Sequence, residues 1–166
     1  WNGPNGFNST LEDISALEAG SYNLLVTDDN GCTIDQIFML TEPDPIQIDL
    51  AALTFLGDAN VSCVGAPDGQ IDMTISGGIP GYTSTWTGPN GFNAVTEDIF
   101  GLEAGSYYIS VTDQNGCSAL DSITLLAPDT LQATAVSLVL SGGYNVSCSS
   151  GSDGSIDLSM TGGVAP

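Results

Sequence analysis

Residues 86–117 read WTGPNGFNAVTEDIFGLEAGSYYISVTDQNGC, and this stretch carries the pattern that indicates the fold class. Within it, Tyr107, Ile109 and Val111 occupy alternate positions, which is the pattern of a β-strand with one buried face. Asn115 and Gly116 follow after three intervening residues and would supply the positive φ angles that a tight hairpin requires. The stretch therefore predicts antiparallel strands joined by short turns.

The same stretch occurs a second time in the chain. Residues 1–32 read WNGPNGFNSTLEDISALEAGSYNLLVTDDNGC, so a shift of about 85 positions places Trp1 on Trp86. NVSCVGAPDGQIDMTISGG at residues 60–78 returns as NVSCSSGSDGSIDLSMTGG at residues 145–163 with the same spacing. Solenoid repeats are usually about 20–50 residues long, so this period favours one small β-domain per repeat.

Proline-containing segments set the predicted domain boundaries. Prolines at 43, 45 and 128 would end strands and stiffen the connections that follow. We predict a complete repeat over residues 44–128, the C-terminal half of a repeat over 1–43 and the N-terminal half of the next over 129–166. Half a sandwich cannot bury its apolar face, so we expect each flank to be completed by neighbouring repeats or by copies of the same chain.

The remaining strands and the core follow from alternation and from the aromatic residues. Ile71, Met73 and Ile75 should face inward, and their counterparts Ile156, Leu158 and Met160 should do the same. LEAGSY at residues 102–107 resembles the tyrosine corner of immunoglobulin-like domains. The predicted core residues are Trp1, Trp86, Tyr22 and Tyr107. We predict an all-β fold of tandem immunoglobulin-like (PKD-like) antiparallel β-sandwich repeats, without helices.

Composition excludes several classes of function. The chain has 20 acidic residues and no Lys, Arg or His, giving a net charge of −20. Without cations it cannot neutralise nucleic-acid phosphates, and without imidazole it has no Ser-His or Cys-His nucleophile. No apolar run approaches the roughly 18 residues of a membrane span, so we expect no direct membrane insertion. The adjacent carboxylates Glu97 and Asp98 would point to opposite faces of a strand, which argues against paired-carboxylate catalysis. We predict that the chain is not an enzyme.

The four cysteines favour disulfide bonds and an oxidising, extracellular location. The sequence has no CxxC motif to suggest a zinc site. A Cys63–Cys117 bond within one domain is favoured, which would leave Cys32 and Cys148 to pair outside the segment. The alternative joins neighbours across the linkers, Cys32 with Cys63 and Cys117 with Cys148, and free buried thiols are a third interpretation.

Acidic turns offer candidate calcium ligands. Asp28 and Asn30 in one repeat, and Asp113 and Asn115 in the next, carry the side-chain oxygens that Ca²⁺ prefers. Neither segment has the EF-hand spacing, and the same residues are typical of a hairpin turn. The sequence favours the turn and leaves calcium as the one candidate cofactor.

The run from Asn60 to Cys117, with NVSC, DG, ISGG and GLEAGSYYISVTDQNGC, resembles the SprB repeat of Bacteroidetes cell-surface adhesins. This resemblance implies a secreted, repetitive, immunoglobulin-like stalk without catalytic residues, exported by the type IX secretion system and associated in the namesake with gliding motility. Typical copies carry some Lys or Arg, and this chain departs from them in having none. The resemblance also makes the Asp-Ser/Thr-aliphatic motifs relevant, with Ser122 and Thr130 as candidate O-glycosylation sites.

These observations predict a structural segment, bearing tension, of a secreted bacterial surface filament or adhesin stalk. Its expected partners are neighbouring repeats or copies of itself. Two alternatives remain open at this point: a module that recognises glycans or proteins, and a filament subunit whose half-domains complete one another by strand addition.

Overall fold

A computed structural model describes residues 1–164, in which eleven β-strands form nearly all of the regular structure. The described residues contain no α-helix, and only short 3-10 turns at Pro4–Gly6 and Pro89–Gly91 interrupt the strands. The strands are β1 (Gly20–Thr27), β2 (Thr33–Leu40), β3 (Gln47–Ala52), β4 (Gly69–Ser76), β5 (Thr83–Thr87), β6 (Asn93–Ala94), β7 (Ile99–Leu102), β8 (Gly105–Thr112), β9 (Ser118–Leu125), β10 (Gln132–Ser137) and β11 (Ile156–Thr161).

Strands β3 to β9 form two antiparallel sheets that pack as a sandwich. One sheet has the order β3-β4-β7 and the other β6-β5-β8-β9. Apolar side chains from both sheets are buried together, with Trp86 fully inaccessible to solvent. The core consists of Ile71, Met73, Trp86, Ile99, Leu102, Tyr107, Ile109, Val111 and Leu125. The predicted all-β sandwich is confirmed.

The sandwich has two distinct ends, which we name by the direction of the chain. At the upstream end β3 begins, and Ile46 lies against Gly78 and beside the β8–β9 turn that contains Asp113. At the downstream end β9 finishes at Leu125, and the Asn60 loop hydrogen-bonds to Leu126. The chain therefore enters the sandwich at one end and leaves it at the other.

Residues Trp1–Pro45 form a separate structural unit. Its strands β1 and β2 make a two-stranded antiparallel hairpin in continuous register from Gly20↔Leu40 to Thr27↔Thr33. The turn at Pro4–Gly6 lies against the hairpin, where Asn2 exchanges backbone hydrogen bonds with Asn23. Trp1 is only partly buried and contacts Phe38 with ring centroids 5.6 Å apart.

The second unit begins at Ile46 and contains, besides the sandwich, the hairpin β10–β11. The predicted inward-facing residues of β11, Ile156, Leu158 and Met160, lie exposed, contrary to the expectation from alternation. The reason is that β10–β11 is a two-stranded sheet with no second sheet packed against it among the described residues. The backbone of this hairpin closes on the linker, because the N–H of Gly163 donates to Asp129.

No helix within residues 1–164 has the length and apolar character needed to cross a bilayer.

Candidate functional site

The tyrosine corner is present in both units. The hydroxyl of Tyr107 donates to the carbonyl of Glu103 at 2.9 Å, and that of Tyr22 donates to Glu18 at the same distance. Each tyrosine is nearly inaccessible and packs edge-on against a phenylalanine, Phe92 or Phe7. Burial, followed by the charge of Glu103, raises the pKa of Tyr107. The corner therefore fixes the start of β8 and of β1.

A small open groove accompanies each corner. Beside Tyr107 it measures about 230 Å³ and is lined by residues of the Pro89–Gly91 turn, where Asn90 donates to Glu103. The counterpart beside Tyr22 measures about 300 Å³, with Asn5 donating to Glu18. Ligand sites are usually enclosed, mostly apolar clefts of about 300–1,000 Å³, so these open grooves are the recesses of a repeated structural motif.

Asp113 is the one buried acidic residue among those that the structure describes, and it holds the upstream end together. One carboxylate oxygen accepts the N–H groups of Asn115 and Cys117, at 2.9 and 2.8 Å. The other accepts the N–H of Ile79 at 3.0 Å, which ties the β8–β9 turn to the segment after β4. The Ile79 hydrogen bond, with those of the turn, holds the pKa of Asp113 below its ordinary value of 3.8.

The candidate calcium ligands are thus used by the turns themselves. Asp28 makes the same two turn bonds, to Asn30 at 2.9 Å and Cys32 at 2.7 Å. In residues 1–164 no group of three or more acidic, thiol or imidazole side chains is arranged to hold a metal. The geometry of Asp28, Asn30, Asp113 and Asn115 matches the hairpin interpretation, and calcium stays a prediction.

At the downstream end, Asn60 connects three parts of the sandwich. Its side-chain oxygen accepts the N–H of Leu126 at 2.9 Å, and its amide donates to Leu53 at 3.0 Å. Asp68 accepts the N–H of Ser62 at 3.0 Å, and the hydrogen bonds of Ser62 hold the pKa of Asp68 below its usual value. The NVSC element is therefore a loop that fastens the last strand to the first.

The same loop recurs with fewer partners. Asn145 donates to Leu138 at 2.9 Å, and Asp153 accepts the N–H of Ser147 at 3.0 Å, so that the Ser147 hydrogen bonds lower the pKa of Asp153. Asn145 makes no bond equivalent to that between Asn60 and Leu126 among the hydrogen bonds of the described chain. The local contacts of this loop are thus present without a partner equivalent to Leu126 among the described residues.

The structure contradicts the predicted Cys63–Cys117 bond. All four cysteines are free and exposed. Cys117 lies at the upstream end, whereas Cys63 follows the Asn60–Leu126 contacts at the downstream end. The length of β9 separates the two ends, roughly 23 Å at about 3.3 Å per residue. A disulfide requires Cα atoms within about 7 Å, so the bond cannot form without unfolding the sandwich.

The alternative pairings have different outcomes. Cys117 and Cys148 are free as well, so the structure does not contain this bond. Cys32 and Cys63 belong to different structural units, and their pairing stays a prediction. Because all four thiols are exposed, the interpretation as buried thiols is wrong.

Other predicted residues lie as follows. Trp86 is buried and its ring N–H donates to the carbonyl of Thr96 at 3.1 Å, whereas Trp1 remains partly exposed. Ser122 is exposed on β9, and Thr130 is exposed in the linker. Both hydroxyl-bearing residues are therefore accessible, and their glycosylation stays a prediction.

Sequence reasoning placed Asp113 in a turn but missed its bond to Ile79. It also missed the bonds of Asn60 to Leu53 and Leu126. The signal was present in the repeat, because Asp113 and Asn60 each lie at a position where the next or preceding copy has the same residue, Asp28 and Asn145. A polar residue that recurs at the end of a strand in both copies of a β-domain repeat is typical of a side chain that hydrogen-bonds to backbone groups.

A family model described as the SprB repeat matches residues 59–91 and again residues 144–166. The first match covers the Asn60 loop and strands β4 and β5, and the second begins at the equivalent loop. A search of the curated proteins finds no match to the chain. The chain therefore carries SprB-repeat sequence in two places, and the SprB repeat is a non-catalytic, adhesin-type repeat of cell-surface proteins.

Proposed function

We propose that this chain is a segment of a secreted bacterial surface filament or adhesin stalk in which folded repeats transmit tension. The observation that carries the proposal is the position of the chain at the two ends of the sandwich. Ile46 enters at the upstream end and Leu126 leaves at the downstream end, so a pull on the chain acts along the strands.

The first and last strands of the sandwich would resist such a pull in shear. β3 is paired with β4 through six consecutive residue pairs, and β9 with β8 through eight. Interstrand hydrogen bonds in an antiparallel pair lie perpendicular to the strands. A force along the strands therefore strains many of these bonds at the same time instead of opening them one after another.

Two contacts act at the places where tension arrives. The carboxylate of Asp113 fastens the upstream turn to Ile79, and Asn60 fastens the downstream exit at Leu126 to Leu53. The net charge of −20 adds mutual repulsion along the chain, which favours an extended and soluble array at low ionic strength. These features support a passive tether of defined length.

Single-molecule force spectroscopy tests the proposal on the full chain, held by handles at its two termini. We expect one dominant, high-force event as residues 46–126 unfold, with a contour gain of roughly 250 Å, given about 3.4 Å per extended residue. The measurement reads both the rupture force and the gain in length.

The matched control changes only the direction of pulling. With Cys32, Cys63 and Cys148 changed to Ser, one handle is attached at Cys117, and the other stays at the amino terminus. Both attachment sites of the sandwich are then at the upstream end, so strand pairs would separate sequentially at a much lower force. Equal rupture forces in the two geometries would show that the sandwich is not built to resist tension.

A further inference from the structure

A groove at the junction between the sandwich and the next hairpin brings Cys63 next to the start of the following repeat. The groove measures about 490 Å³ and is lined by the Cys63 loop on one side and by the linker and Val164 on the other. Cys63 is exposed there as a free thiol. A β-carbon placed on Gly57, in the neighbouring loop, would touch the side chain of Val164 at 3.6 Å.

Comparison of the two copies of the repeat indicates which residues would contact Val164 in a complete following sandwich. Val164 lies one period after Ile79, and Gly163 one period after Gly78. Gly163 packs against Leu131 as Gly78 packs against Ile46, so the local structure is the same in both copies. In the complete sandwich, Ile79 is bound by the turn that contains Asp113 and Cys117.

In the following repeat, the turn equivalent to the one at Asp113 would place a cysteine at the groove. The N–H groups of Ile79 and Cys117 donate to the same Asp113 carboxylate, so they lie within a few ångströms of each other. One period later, the equivalent turn would bind Val164 in the same manner. Its cysteine would then reach the groove that Cys63 lines.

We propose that a disulfide joins Cys63 of one repeat to the Cys117-type cysteine of the repeat that follows it. The bond spans the junction between two sandwiches rather than the interior of one. Each repeat offers one cysteine at each end, so every junction in an array would hold one such bond. This inference rests on the proposed function as a tether. Under tension, a covalent link at the junction would carry force between two repeats in place of the proline linker.

The chemistry balances with an external disulfide as oxidant. Two cysteine thiols lose two protons and two electrons as the sulfur–sulfur bond forms. Glutathione disulfide, or a disulfide of a thiol oxidoreductase, accepts them and is reduced to two thiols. The thiolate is the attacking form and a free cysteine has a pKa of about 8.5, so the exchange is run near pH 8.

The test uses two full copies of the chain fused through an insert of residues 82–85, YTST, which preserves the 85-residue period. In this fusion Cys32 of the second copy takes the Cys117-type position beside Cys63 of the first copy. All other cysteines are changed to Ser, and the protein is incubated at low concentration with glutathione disulfide. We expect titration under denaturing conditions to find no free thiol, and intact mass spectrometry without reductant to find a monomer that has lost two hydrogens and gained no glutathione.

A matched control fusion carries a different cysteine pair, Cys63 and Cys117 of the first copy, which the sandwich separates. We expect this control to form no internal disulfide and only to gain glutathione or to dimerise. Circular dichroism of each fusion verifies that the β-sheet structure is intact before oxidation.

Retention or glutathionylation of both thiols in the folded Cys63–Cys32 fusion would overturn the proposal, and so would equal internal oxidation of the control fusion. The thiol readout measures no force, so failure here leaves the mechanical test unaffected. Equally, low rupture forces would not change the thiol count.

Discussion

The complete sandwich and the β10–β11 hairpin carry nearly the same sequence and differ in what they bury. Ile71 on β4 is 0% exposed, whereas Ile156, one period later on β11, is 76% exposed. Met73 and Leu158 differ in the same way, at 3% and 57%. Each strand pairs with its first neighbour in the same register pattern, from Ala52↔Ile71 in one to Ser137↔Ile156 in the other. Strand pairing is therefore local, and burial requires a second sheet.

The tyrosine corners, by contrast, have the same structure in both units. Tyr107 in the sandwich and Tyr22 in the hairpin unit are 2% and 3% exposed, with the same 2.9 Å bond to a carbonyl four residues earlier. Each ring packs against the phenylalanine of the adjacent Pro-Asn-Gly-Phe turn, and each hydroxyl bonds within the same corner. A motif whose partners lie close in sequence forms without the rest of the sandwich.

The largest predicted effect is the difference in unfolding free energy between alanine substitutions at the two equivalent isoleucines. Ile71→Ala should lower the free energy of unfolding by about 2–5 kcal/mol, because it leaves a cavity in a closely packed core. Ile156→Ala, at the equivalent exposed position, should change it by less than about 0.5 kcal/mol. Urea denaturation followed by tryptophan fluorescence measures both. Similar losses in the two variants would mean that the β10–β11 face is covered in solution.

An intermediate effect is predicted at the tyrosine corners. Tyr107→Phe removes the hydroxyl that donates to Glu103 and should cost about 1 kcal/mol of unfolding free energy. Tyr22→Phe removes the equivalent bond to Glu18, and we expect it to destabilise the amino-terminal unit by a similar amount. Hydrogen exchange resolved along the chain assigns each loss to its unit. A corner that acts locally would show no change in the other unit.

The smallest effect depends on pH. Hydrogen bonds from Ile79 and the turn lower the folded-state pKa of Asp113 below 3.8, so the ionised carboxylate stabilises the fold above that pH. This stabilisation is lost as the pH falls through the lowered pKa. Asp113→Asn should therefore reduce the Tm by a few degrees near pH 7, and the difference from the unchanged chain should shrink as the pH falls below 3.8 and through the lowered pKa.

Asp28→Asn is the control for that experiment. Asp28 makes the two turn bonds but lacks the third one, to a segment equivalent to Ile79, among the described residues. We expect Asp28→Asn to change the Tm less than Asp113→Asn does at neutral pH. A loss that is equal for both variants would assign the stabilisation to the turn alone rather than to its bond with Ile79.

Much of the fold could be predicted from the sequence because its signals are local. Alternating apolar residues identified β4 and β8, and Asn-Gly pairs identified the turns, where Asn90 has a φ of 55° and Gly116 one of 85°. The LEAGSY segment indicated the tyrosine corner that Tyr107 forms. In each case the residues that make the structure are separated by only a few positions.

The pairing of the cysteines could not be predicted in this way. Cys63 and Cys117 fall within one predicted repeat, and their separation in sequence gave no information about which end of the sandwich each occupies. The register of β8 with β9, together with the Asn60–Leu126 contacts, places them at opposite ends. The bond between Asp113 and Ile79 could not be predicted either, because it joins residues that are 34 positions apart in sequence.

The strands, the turns, the 85-residue period and the acidic, cation-free surface follow from the sequence, since each depends on residue type and short spacing. Which apolar faces are buried, which ends the cysteines occupy and where the chain enters and leaves follow only from the folded arrangement. These depend on how strands distant in sequence pack and pair, and burial exists only where a second sheet is present to exclude water.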